Sequence, residues 1–131
     1  MSTNPVVMSL VFQRPCRAVV LTCIDFRVQR FIDAWIRENL GEQNHDRVAL
    51  AGGVRDLGTV LGQIDVCKRL HDVKEVVLMN HEDCGAYGEA GTPGKHIEDL
   101  KAAKEAVLQK YPEIDVALFY IHLNGTFDSV C

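Results

Sequence analysis

The chain has 131 residues, is 47% hydrophobic and 24% charged, and carries a formal net charge of −4. These are values of an ordinary globular protein, read as a single domain over 1–131, and the acidic balance with scattered Lys and Arg argues against nucleic acid as a partner. No apolar run approaches the roughly 20 residues of a membrane span, and residues 1–11 lack the basic start and full-length apolar core of a cleaved signal. Five cysteines, an odd number in a chain of this size, read as reduced thiols of a cytoplasmic protein, some of them serving as ligands.

Residues 17–22 form a continuous apolar run suited to a strand buried on both faces. Val28, Phe31, Ile32, Trp35, Ile36 and Leu40 then recur at steps of three and four, one face of a helix that Gly41 can end. Residues 47–51 read as a short second strand running into Gly52-Gly53, and Leu57, Val60, Leu61, Ile64 and Leu70 mark a second helix. Residues 74–80 supply a third strand, and the glycine-rich stretch 84–94 reads as a loop. A helix over 96–111 is stopped by Pro112, and a fourth strand spans 114–123. The alternation β-α-β-α-β-α-β predicts an α/β, three-layer fold: a central parallel sheet of about four strands, order 2-1-3-4, with helices on both faces.

Two clusters carry the chemistry: Cys23-Ile24-Asp25-Phe26-Arg27 after the first strand and His81-Glu82-Asp83-Cys84-Gly85 after the third. If strands one and three are central neighbours, both clusters reach the point where strand order reverses, where open α/β sheets bind ligands. Two thiols and an imidazole with a fourth position open suit a catalytic zinc site, with Cys23, His81 and Cys84 as ligands. Two thiolates cancel the charge of Zn²⁺, so a bound water is acidified less than in an all-imidazole site, and a neighbouring group must accept the proton or orient the hydroxide. Asp25 is near enough for that task. Arg27 can hold it in a two-point ion pair that favours the carboxylate and keeps it from becoming the fourth ligand. Glu82 and Asp83 are expected to face solvent or cap the next turn. Cys67 is expected to pack in the core, while His45, His71, His96 and His122 are given surface or packing roles. Cys16 and Cys131 belong to no motif.

These clusters resemble the β-class carbonic anhydrases, which carry Cys-x-Asp-x-Arg after the first strand and His-x-x-Cys-Gly after the third. Ala51-Gly52-Gly53 is similar to the family's turn after the second strand, and the likeness in order and spacing runs over 17–125. The resemblance implies that Cys23, His81 and Cys84 hold Zn²⁺ and that Asp25 and Arg27 form the catalytic dyad. It implies reversible hydration of carbon dioxide to bicarbonate and a proton by zinc-bound hydroxide. Gly53 and Gly85 would border the substrate pocket, and the protein would assemble as a homodimer or higher homo-oligomer. Phe26 departs from the small serine usual at that position, and about 16 residues precede the first strand where the family has a helical arm. These departures leave room for a CO₂ analogue, carbonyl sulfide or carbon disulfide, as substrate. A non-catalytic, zinc-stabilised binding protein is the reading from a different class.

Overall fold

The computed structural model describes residues 14–131, so the N-terminal readings over 1–11 lie outside the described residues. In chain order the elements are β1 (Ala18–Thr22), α1 (Gln29–Asn39), β2 (His45–Ala49), α2 (Leu57–His71), β3 (Glu75–His81), α3 (Pro93–Lys110), β4 (Asp115–Ile121) and β5 (Phe127–Val130), with a 3₁₀ turn at Gly88–Ala90 before α3. The sheet order is β2-β1-β3-β4-β5. The first four strands pair in parallel in the expected order, with Ala18 opposite both His45 and Glu75, and Glu75 opposite Asp115.

The fifth strand goes beyond the sequence pattern. It runs antiparallel to β4, with Ile121 opposite Phe127 and Leu118 opposite Val130, so the sheet is mixed rather than purely parallel. Gly125 takes φ +93° in the connecting turn, and its backbone lies so close to the Phe31 ring that an added Cβ would fall within 2.8 Å of it. At the opposite edge β2 begins two residues before the predicted run, because an edge strand tolerates the half-buried polar pair His45 and Asp46. Helix α3 likewise starts three residues early, at Pro93. Thr92 caps it, accepting from the Lys95 N–H at 3.2 Å, and proline is favoured in the first turn, where its missing N–H costs nothing.

Side-chain alternation along the buried strands divides the core between the two faces of the sheet. Val19, Leu21, Val76 and Leu78 pack with Val60 and Ile64 of α2 and with Leu100, Ala103 and Val107 of α3. Ala18, Val20, Val77 and Met79 face the other way, onto Ile32 and Ile36 of α1. Helices thus cover both faces, the three-layer arrangement the pattern implied. All five residues of β1 are buried, which fixes the strand whose end delivers Cys23.

Gly53 holds the turn after β2 against β3. Its φ is +59°, and a Cβ there would lie 2.3 Å from Asn80 Oδ1, the atom that accepts the Val54 N–H at 3.1 Å. Gly53→Ala combines this overlap with a left-handed backbone and is expected to cost about 2–4 kcal/mol. Thermal unfolding should show a midpoint lowered on the order of 10 °C; an unchanged midpoint would refute the close approach.

Candidate metal centre and active site

Cys23 follows β1, His81 ends β3, and Cys84 lies in the turn beyond it. Parallel pairing of β1 with β3 brings these ends together at the strand-order reversal. The Cys23 and Cys84 sulfurs are 3.9 Å apart, and one ligand atom from each of Cys23, His81 and Cys84 lies within 4.8 Å of the others. All three side chains are buried. Two thiolates on a tetrahedral zinc at about 2.3 Å stand about 3.8 Å apart, so the sulfur spacing fits that ion.

The imidazole is oriented for the same purpose. His81 Nδ1 donates to the Glu82 carbonyl at 2.7 Å, which leaves Nε2 as the lone-pair nitrogen. That Nε2 is buried and has no hydrogen-bond partner. An orphaned buried acceptor facing two thiols is what a cation would satisfy. Burial works against a Cys23 thiolate, yet the neighbouring His81 imidazole and the Gly52 N–H, 3.4 Å from the sulfur, bring its pKa below the usual thiol value. Burial and the nearby Cys23 sulfur push Cys84 the other way. The donor set therefore suits zinc.

Asp25 and Arg27 lie beside this centre. Arg27 Nε donates to Asp25 Oδ1 at 3.1 Å and its Nη2 to Oδ2 at 2.7 Å, while the Arg27 N–H donates to Oδ1 at 2.9 Å. The Arg27 hydrogen bonds outweigh desolvation and hold the carboxyl at about 2. Asp25 Oδ2 is 3.8 Å from His81 Nε2, within reach of whatever the three ligands hold. The other face of the guanidinium clamps the second cluster: Nη1 donates to Asp83 Oδ2 at 3.1 Å and Nη2 to the Asp83 carbonyl at 2.9 Å. Asp83 is exposed, as expected, but it is also a partner of Arg27, and that role was not read from the sequence. Glu82 turns to the β4–β5 connection, where its Oε1 accepts the Leu123 N–H at 2.6 Å.

Two other anchors escaped sequence reasoning. The Gln29 amide donates to the Cys23 carbonyl at 3.0 Å and the Asp25 carbonyl at 2.8 Å, and its oxygen accepts from Arg47 Nη2 at 2.8 Å. Gln29 thus ties the first cluster to the start of α1, whose Val28 offers no side-chain cap. Behind His81, Asn80 donates to Tyr87 Oη at 3.1 Å and stands 2.9 Å from His96 Nδ1, while Tyr87 donates to Asp99. His96 is fully buried in this network, a packing role as expected.

A cleft of about 360 Å³ opens over the sulfurs, lined by Cys23, Ile24, Asp25, Phe26, Ala51, Cys84, Gly85 and Ala86. Gly85 borders it. Gly53 does not line this cleft and instead packs on Asn80. Phe26 is 86% exposed and Ile24 58%, so the ring stands at the rim rather than filling the site.

A mostly parallel α/β sheet with two thiols, an imidazole and a carboxylate–guanidinium pair at its switch point defines the class to which comparison with known proteins also leads. Residues 13–131 match a family model described as "Putative carbonic anhydrase". The chain belongs to that carbonic anhydrase family, and its fold is of the β class. Among curated proteins it is 27% identical to an uncharacterized protein of Rickettsia conorii, over 86% of this chain and 70% of that one. Among solved structures it resembles a β-carbonic anhydrase of Trichomonas vaginalis, with a TM-score of 0.65 at 18% identity, covering 98% of this chain and 93% of the other. It also resembles the apo form of a carbon disulfide hydrolase, with a TM-score of 0.67 at 15% identity, covering 98% and 85%. At such identities these two structures bear on fold alone. No described helix is long and apolar enough to cross a membrane.

Proposed function

We propose that this protein is a zinc-dependent carbonic anhydrase that interconverts carbon dioxide and bicarbonate, with Cys23, His81 and Cys84 as ligands and Asp25 and Arg27 as the assisting dyad. The observation that carries the reading is the orphaned, buried His81 Nε2 facing two thiols, with an ionised carboxylate 3.8 Å away. Zinc held there would supply a Lewis acid that activates water near neutral pH.

The remaining chemistry belongs to the chain's own residues. Asp25, acceptor-only when ionised, would accept a hydrogen bond from the attacking water and orient it. Arg27 keeps Asp25 ionised and fixes its direction, and its grip on Asp83 holds the two clusters in one relative position. The Gly85 backbone and the apolar walls Ala51 and Ala86 leave room for a small, linear, uncharged substrate. Exposed Ile24 and Phe26 beside the cleft support burial against a second copy, and thus a homodimer or higher homo-oligomer. Free cysteines throughout the described residues agree with a cytoplasmic setting.

A second reading changes only the substrate. The apolar rim of Ile24 and Phe26 favours carbonyl sulfide or carbon disulfide over a more hydrated partner, and the fold is shared with a carbon disulfide hydrolase. Parallel assays of zinc-loaded protein with carbon dioxide, carbonyl sulfide and carbon disulfide separate the two. Turnover of carbon dioxide well above the analogues supports the anhydrase; the reverse order supports the hydrolase. Turnover of none, with zinc bound, removes both in favour of a zinc-stabilised binding protein.

Asp25, Asp56, Asp65 and Asp72 share a pH signature. Arg27 depresses Asp25; Thr59 depresses Asp56; Lys110 and Tyr111 depress Asp65; Lys68 and Lys74 depress Asp72. A carboxyl whose folded pKa is lowered stabilises the fold above its unfolded value, near about 3.9, and that contribution is lost as pH falls through the folded value. The contribution of these four carboxyls to the urea midpoint should hold from about pH 7 to 5 and decline below about pH 4, on top of an earlier loss below about pH 6.5 from His96, whose burial lowers its pKa to about 4. A midpoint still level at about pH 2 would contradict these pairings.

A further inference from the structure

At the opposite end of the sheet from Cys23 and His81, a second group of ligand-bearing side chains converges. Cys16 lies just before β1, Asp46 is the second residue of β2, and His71 is the last residue of α2. One ligand atom from each lies within 4.8 Å of the others, and all three side chains are partly buried. His71 Nδ1 stands 2.6 Å from Asp46 Oδ2, and the Cys16 N–H donates to the His71 carbonyl at 3.0 Å, which sets the two backbones side by side, while the Cys16 thiol donates to the Ala18 carbonyl at 3.6 Å. Cys67, one turn before His71 on α2, is buried with its thiol facing the Asp46 carboxylate. No motif of the first site accounts for this grouping.

We propose that Cys16, Asp46 and His71 form a second metal site, of the class that takes zinc or a similar borderline-soft divalent cation. A thiolate and a carboxylate neutralise such an ion, and an imidazole completes the three mixed S, O and N donors that zinc prefers over hard cations. Cys67 supports the carboxylate from behind, as outer partners of metal ligands do. The ligands come from three elements, so the ion staples the entry of β1 to the edge strand β2 and the end of α2. Its effect is on stability, since a cation bound only by the folded state raises the unfolding temperature by mass action. The side chains of His71 and Asp46 are 32% and 23% exposed, which leaves an entry path.

The test uses cobalt(II) added to the full-length, metal-stripped protein, read by bound metal per chain and by thiolate-to-cobalt absorption. Wild type should take up two equivalents and Cys16→Ser one, with carbon dioxide hydration by zinc-loaded Cys16→Ser unchanged. A Cys23→Ser/Cys84→Ser double variant should keep one equivalent and a thiolate absorption band that further replacement of Cys16 erases. Should that double variant fail to fold, the comparison of wild type with Cys16→Ser and His71→Gln still decides. Equal uptake by wild type and Cys16→Ser overturns the second site and leaves His71 and Asp46 as an ordinary ion pair. One equivalent lost only with Cys16→Ser supports this site and overturns the first.

Discussion

Cys84→Ala is expected to release the zinc equivalent held at the end of β3 and to abolish carbon dioxide hydration. Structural zinc sites in small peptides bind with about 10–16 kcal/mol across four ligands, so losing one ligand costs about 3 kcal/mol or more. That is at least about a hundredfold in affinity. The fold itself should survive, because Cys84 sits in a turn beyond β3 and removes only a sulfur from a three-residue cluster with Cys23 and Tyr87. Metal analysis after dialysis, circular dichroism and stopped-flow hydration measured on the same preparation check each part. A folded variant that keeps wild-type zinc and rate would remove Cys84 from the site.

Arg27→Ala should have the next largest effect, through a different route. Zinc should remain, since Arg27 touches no ligand atom, but hydration should fall about a hundredfold or more, the range over which proton-transfer groups and outer partners act. Without the two-point hold, Asp25 loses the partner that keeps it ionised and directed, and its Oδ2 already stands 3.8 Å from His81 Nε2. The carboxylate is then free to occupy the open position. Arg27→Lys should recover only part of the rate, because an ammonium cannot reproduce the fork that grips both Asp25 and Asp83. Asp25→Asn should match Arg27→Ala in rate while retaining zinc. If Arg27→Ala hydrates at the wild-type rate, the pair is an ordinary structural ion pair.

The sequence was legible where periodicity and buried runs were strong. Val19 to Leu21 and Val76 to Met79 alternate between two cores, and the helices that cover them carry apolar faces at the expected steps. Strand order 2-1-3-4 was a condition rather than a reading of those runs; the sheet has it, which puts both chemical clusters at one end. The four residues of β5 were missed because Asp128 and Ser129 interrupt any apolar signal, and the strand exists only through its pairing with β4. The start of β2 was misjudged for a related reason: a polar His45 and Asp46 are acceptable on an edge and invisible to a search for buried runs.

Within the candidate site, local motifs pointed to Cys23, His81, Cys84 and the Asp25–Arg27 pair, which the fold brings together, whereas the groups around them depend on contacts made through the fold. Asp83 meets Arg27 only once β1 and β3 lie side by side, and Arg47 reaches Gln29 only once β2 is on the edge. His71 and Cys16 show the same limit: neither has motif neighbours, and only the fold brings them together beside Asp46.

The most direct test of the central claim is carbon dioxide hydration by stopped flow on one preparation at graded zinc occupancy of the Cys23–His81–Cys84 site, at mildly alkaline pH. A rate that rises in proportion to that occupancy, and vanishes in Cys84→Ala, is the predicted result. A fully zinc-loaded protein with no rate above buffer would contradict it.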